Sequence, residues 1–280
     1  KRAKELNMPA VGITDHGNMH GAYEMWSTAV KEGVKPIIGI EAYVTPETAR
    51  QDQTRVSWDT NWNPDIDPQH RRRNPNDVSG GGLITHLTMW AETDEGLVNL
   101  MKASTDANLE GRVMRYPRMD KEILAKYSKG IIASSGCPSG IIQTRLLLGQ
   151  FDEALRAAGE LQDIFGRDNF YIEFMDHGLK IEKQVTDGLL DIAKKLNAPL
   201  LATNDSHYVR AEDAGSQDAM LCINSGSTLD EPGRFKFDGT GYYLKSAEEM
   251  RELFKDIPEA CDNTLEIAER CNVMFDDHED

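Results

Sequence analysis

Side chains that bind metal ions recur at or just beyond the ends of short apolar runs. Thr14-Asp15-His16-Gly17 follows Pro9–Ile13, Glu41 lies late in Pro36–Val44, and His86 lies within Leu83–Ala91. Cys137 follows Gly130–Ser135, while Asp205 and His207 follow Pro199–Asn204. Imidazole, carboxylate and thiolate make a mixed N, O and S donor set that suits Zn²⁺ or a similar divalent ion. Asp205-x-His207 also places two donors on one side of an extended chain. Each residue alone has a plainer role. Asp15 caps a following helix, Glu41 pairs with a lysine, Cys137 packs as a small buried hydrophobe, and His86 is a satisfied core histidine. The joint pattern is what favours a shared centre. Of the seven histidines, His16, His86, His177 and His207 sit at or just after apolar runs, whereas His20, His70 and His278 lie in helical or polar stretches. Met175-Asp176-His177-Gly178 echoes the turn at 15–17 and reads as another element of the same rim or as a helix cap.

Such residues need a scaffold. The pattern predicts buried strands over 9–14, 36–44, 83–91, 130–135, 169–175 and 199–204. Helices are predicted near 19–31, 94–109, 119–127, 139–148, 151–165, 179–196, 210–223, 246–254 and 258–270. Continuous apolar strands separated by helices imply a parallel sheet covered on both faces. Six strand–helix units suit a β/α barrel or a doubly wound sheet, and in a barrel the C-terminal rim of the strands carries the site. Residues 47–82 are polar, end in Ser-Gly-Gly-Gly and include Arg71-Arg72-Arg73, so they read as a long surface insertion.

Composition narrows the function. Lys plus Arg number 31 against 47 Asp plus Glu, a net charge of −16 over 280 residues. A protein held to DNA by phosphate neutralisation is basic, so this chain is a poor unaided DNA binder. Metal ions would reverse the local sign of a pocket. No apolar run approaches the ~18 residues of a membrane span. Cys137, Cys222, Cys261 and Cys271 form no CxxC pair, which favours a reducing cytoplasm. No P-loop, dinucleotide fingerprint or GxSxG elbow is present.

Five segments in order carry a resemblance: Thr14–Asn18, Lys35–Tyr43, Gly136–Gly140, Ala202–Tyr208, and Arg234–Phe237 with Gly241–Lys245. Together they resemble the PHP (polymerase and histidinol phosphatase) domain of bacterial replicative polymerases of the DNA polymerase III alpha type, in an actinobacterial form. The resemblance implies an α/β fold, a PHP-type distorted (β/α)7 barrel over residues 1–272, with 273–280 starting the connection to a polymerase body. It implies up to three divalent ions (Zn, Mn or Mg), with His16, Glu41, His86, Cys137, Asp205 and His207 as ligands and Asp15 as a supporting residue or cap. No covalent nucleophile is implied. The activity implied is phosphodiester hydrolysis, in some members a 3′–5′ proofreading exonuclease acting on a single-stranded or frayed DNA 3′ end. The setting is a DNA-directed DNA polymerase, with the sliding clamp and clamp loader as partners. The family opens with a His-x-His strand that does not precede Lys1, so the barrel is expected to lack its first strand, in a fragment cut at both ends. Two other readings stand beside this one. The domain is a catalytically silent module that braces the polymerase or docks a partner subunit, or it is a stand-alone phosphatase for a small ester. The 234–245 segment points away from the last.

Overall fold

A computed structural model describes residues 1–59, 74, 76–77 and 79–275. One curled sheet forms its centre. Its strands are β1 (Ala10–His16), β2 (Lys35–Val44), β3 (Thr85–Ala91), β4 (Arg118–Met119), β5 (Ile131–Ser134), β6 (Phe170–Phe174) and β7 (Leu200–Ala202). The spatial order is β1-β2-β3-β5-β6-β7, with β4 attached to β2. β2 is covered on both faces, which is why Ile37, Ile38, Ile40 and Ala42 form a nearly unbroken apolar run and are all buried.

Helices pack around this sheet. Those used below are α1 (Arg2–Glu5), α2 (Ala22–Glu32), α3 (Asp94–Glu110), α4 (Lys121–Lys126), α5 (Ile141–Leu147) and α6 (Phe151–Phe165). After them come α7 (Lys180–Leu196), α8 (Ala214–Ser225), α9 (Ala247–Leu253) and α10 (Pro258–Arg270). On α6 the buried residues Ala154, Ala157, Ala158, Leu161 and Phe165 follow the helical repeat and make one apolar stripe. Thr93 and Asp120 start α3 and α4 by accepting hydrogen bonds from Gly96 N and Ile123 N.

The sheet is not wholly parallel. β3 runs antiparallel to both β2 and β5. The antiparallel register places the start of β3 beside the end of β2, with Thr85 opposite Val44. Consequently His86, near the start of β3, pairs with Tyr43 near the end of β2, and His16 pairs with Glu41. In a parallel strand His86 would lie at the far end of the barrel. The second departure is β4, where a helix was expected to begin. Its Arg118 is fully buried and donates to the carbonyls of Leu83, Gly111, Arg50 and Asp52, which ties down the root of the insertion. Arg71–Arg73, His70 and His278 lie outside the described residues.

The result is an α/β fold whose sheet closes into an open half-barrel. Among the described residues β1 and β7 do not pair, and a cavity of about 700 Å³ fills the seam between them, lined in part by Ile13, Trp90, Leu201, Met250 and Leu265. Among the described residues no helix is long and apolar enough to cross a membrane. All four cysteines are free thiols.

Candidate metal centre

The rim gathers donors from successive strands. Glu41 on β2 is the hub. Its Oε1 lies 2.6 Å from His86 Nδ1 and accepts from Cys137 Sγ at 3.5 Å, while its Oε2 lies 3.4 Å from His16 Nδ1. Cys137 Sγ is also 3.3 Å from His86 Nδ1. One donor atom each from His16, Glu41 and His86 falls within 4.8 Å of the others. On the far side the His207 ring is 6.1 Å from that of His16, and Asp205 Oδ1 is 3.7 Å from His207 Nδ1. His207 Nδ1–H donates to the Asp205 carbonyl at 2.7 Å, which leaves the Nε2 lone pair free to ligate.

Backbone geometry explains the residue types in the turns. Gly136 has φ 80°, and a Cβ there would sit 3.0 Å from the His86 carbonyl, so the turn presenting Cys137 requires glycine. Asp205 itself adopts the left-handed region at φ 43°, which Asp tolerates better than most residues.

Electrostatics in the site are unbalanced. Burial acts to raise the Glu41 carboxyl, yet its hydrogen bond with His86 and the charges of His86 and His16 hold it below the ordinary range. Burial pushes the Cys137 thiol well up, and the neighbouring carboxylates Glu41 and Asp205 push it further. Burial and Glu41 also raise Asp205, with partial relief from His207. Two carboxylates and a thiol crowded around imidazoles are a donor set that a divalent cation would balance. The residues present therefore fit such an ion.

Asp15 turns away toward α2, where its Oδ2 accepts from Gly21 N at 3.0 Å. His177 spends both ring nitrogens on Glu182 Oε1 (2.6 Å) and the Asn204 carbonyl (2.8 Å), so it supports the loop after β7 and offers no ligand atom. Sequence reasoning missed Glu173. This fully buried carboxylate on β6 accepts from Ser134 Oγ (2.5 Å), Gly136 N (3.1 Å) and Thr203 Oγ1 (2.5 Å). It thereby holds the turn before Cys137 and the strand end before Asp205. The available signal was a lone Glu inside the apolar run Phe170–Met175.

The PHP domain family matches residues 1–177, and the chain belongs to that family, with the PHP-type barrel open at one seam. Over 274 residues and 98% of its length it is 53% identical to the DNA polymerase III subunit alpha of Mycobacterium tuberculosis. The same-named protein of Saccharopolyspora erythraea is 55% identical over 269 residues, 96% of this chain, and that of Borreliella burgdorferi 38% over 274 residues, 97% of this chain. The chain spans only 22%, 22% and 21% of those relatives, about a fifth of their length. A solved structure described as a metal-dependent phosphoesterase from Bifidobacterium adolescentis is 15% identical, with a TM-score of 0.40, covering 91% of this chain and 88% of that one.

Proposed function

We propose that this domain hydrolyses phosphodiester bonds with bound divalent ions, as the 3′–5′ proofreading exonuclease of a replicative DNA-directed DNA polymerase. The observation that carries the reading is the convergence of His16, Glu41 and His86 on one point, with Cys137 against Glu41 and His86, and with Asp205 and His207 beside His16. Those six side chains would hold the ions. Glu41 faces both imidazoles at once, Cys137 would bind after losing its proton, and His207 is held in the tautomer that leaves Nε2 unprotonated. When bound, the ions supply Lewis-acid charge and lower the pKa of a water. His16, Asp205 and His207 border the cavity in the seam, so a single-stranded or frayed 3′ end has a route to them. The sliding clamp and clamp loader enter as partners with the same reading, through the polymerase relatives. The full-length protein should shorten a 5′-labelled single strand from its 3′ end in Mn²⁺ or Zn²⁺, and His207→Ala should abolish this. Unchanged shortening by the variant would refute the assignment. A second reading, a silent brace for a polymerase body or a dock for a partner subunit, rests on the polymerase relatives alone. A full-length protein that purifies metal-free and inert would favour it.

A further inference from the structure

The segment Arg234-Phe235-Lys236-Phe237 alternates cation and aromatic ring beside the rim, and the hydrolytic site described above makes no use of it. A continuous array of rings runs outward from the core. His177 stacks on Tyr242 (4.0 Å, 16°), Tyr242 on Phe237 (4.6 Å, 27°), and Phe237 meets Phe235 at 5.8 Å. His177 and Tyr242 are buried, Phe237 is half-buried, and Phe235 is 65% exposed. The array touches the metal centre directly, because the Phe237 ring lies 4.6 Å from that of His207. Hydrogen bonds also tie the residues flanking the array to the rest of the domain. Arg234 grips Asp218 of α8 through two hydrogen bonds of 2.6 Å, and Asn204 Nδ2 donates to the carbonyls of Gly241 and Tyr243. Lys236 is exposed between the two phenylalanines. An exposed ring, a flanking cation and an adjoining candidate ligand of phosphate-seeking metal ions are the parts of a single-strand stacking platform. In a chain of net charge −16, stacking supplies affinity that phosphate contacts cannot.

We propose that Phe235 and Phe237 stack the terminal base of a single-stranded nucleic acid while its phosphodiester reaches the ligands at His207 and His16. This subsite rests on the hydrolytic reading and adds how the strand end is held. The test uses the full-length protein in EDTA with oligothymidylate whose 3′-terminal base is 5-iodouracil, which photocrosslinks to aromatic rings stacked on it. Crosslinks are expected on the peptide carrying Phe235 and Phe237, lost in Phe235→Ala and restored in Phe235→Trp. With metal restored, Phe235→Ala should raise KM for strand shortening roughly tenfold at unchanged kcat, and a strand ending in an abasic nucleotide should not distinguish variant from parent. Crosslinks only at other peptides, or an equal loss with the abasic strand, would overturn the platform. So would a drop in Tm that Phe235→Trp does not repair, which would assign Phe235 to a contact within the protein. Crosslinking needs no cleavage, so a protein that crosslinks at Phe235 but never cuts refutes the hydrolytic reading alone, whereas cutting whose KM Phe235→Ala leaves unchanged refutes the platform alone.

Discussion

The two halves of the rim are built differently. On β2, β3 and the turn after β5, Glu41, His86 and Cys137 touch one another in a nearly dry pocket, because their strands are paired on both edges. On β1 and the loop after β7, His16, Asp205 and His207 border the open seam, and the His16 side chain is 44% exposed. Paired strands pre-assemble ligands, whereas unpaired edges leave backbone and side chains open to whatever approaches. On the proposed reading the closed half would anchor an ion, and the open half is where a substrate would meet it. Glu173 joins them, since it holds Ser134 and Gly136 on one side and Thr203 on the other.

Breaking the anchor should have the largest effect. Glu41→Ala removes the group that both His16 and His86 face. Losing even an outer partner of a ligand typically costs roughly 10–100-fold in metal affinity, so loss of the hub should exceed about 100-fold. Metal content after dialysis and strand shortening would both report it. Retention of stoichiometric metal would show that the closed half is not the anchor.

The joint between the halves should give a pH signature. Burial raises the Glu173 carboxyl to about 7, against 4.5 unperturbed, with hydrogen bonds from Ser134 and Thr203 opposing the rise. Between those values the folded state keeps a proton that the unfolded state has released. Stability from this group is therefore complete below 4.5 and declines as pH rises toward 7. At 1.36 kcal/mol per unit the decline is about 3 kcal/mol. Glu173→Gln keeps the shape and should flatten the decline in urea unfolding of the metal-free protein. A variant with the parent's pH dependence would contradict the role.

Cys137 sharpens the contrast by a smaller amount. Its thiol is held protonated by burial and by Glu41 and Asp205, so taking up an ion must release that proton. Metal affinity should rise with pH. Cys137→Ser should weaken binding on the order of 10–100-fold and lose the proton release that calorimetry detects in buffers of different ionisation enthalpy. Equal proton release from both proteins would remove the thiol from the donor set.

Much of this arrangement was legible in the sequence, and the failures have physical causes. Strands reveal themselves by apolar runs bounded by turn residues, so the positions of β1, β2, β5, β6 and β7 could be read. Direction could not, because the Leu83–Ala91 run looks the same whichever way the strand points, and only the antiparallel pairing of β3 explains how His86 joins Glu41. Glu173 escaped because its partners, Ser134, Gly136 and Thr203, lie 30 to 39 residues away. The turn at His177 read equally as a rim element or a helix cap, because the ring's restraints include a backbone carbonyl, at Asn204, that no residue type announces.

The smallest expected effect separates a cap from a ligand. Asp15 immediately precedes His16, and its composition alone would allow it to bind a metal. Its carboxylate instead accepts from Gly21 N at the start of α2. A lost cap of this kind costs typically ~1 kcal/mol. Asp15→Asn keeps an acceptor at that position and should be nearly neutral, whereas Asp15→Ala should lower Tm by a few degrees. In both variants bound metal and strand shortening should stay at parent levels, because the open half loses no donor. If instead Asp15→Asn sheds metal while its Tm holds, Asp15 belongs to the centre. The open half would then extend along β1 beyond His16.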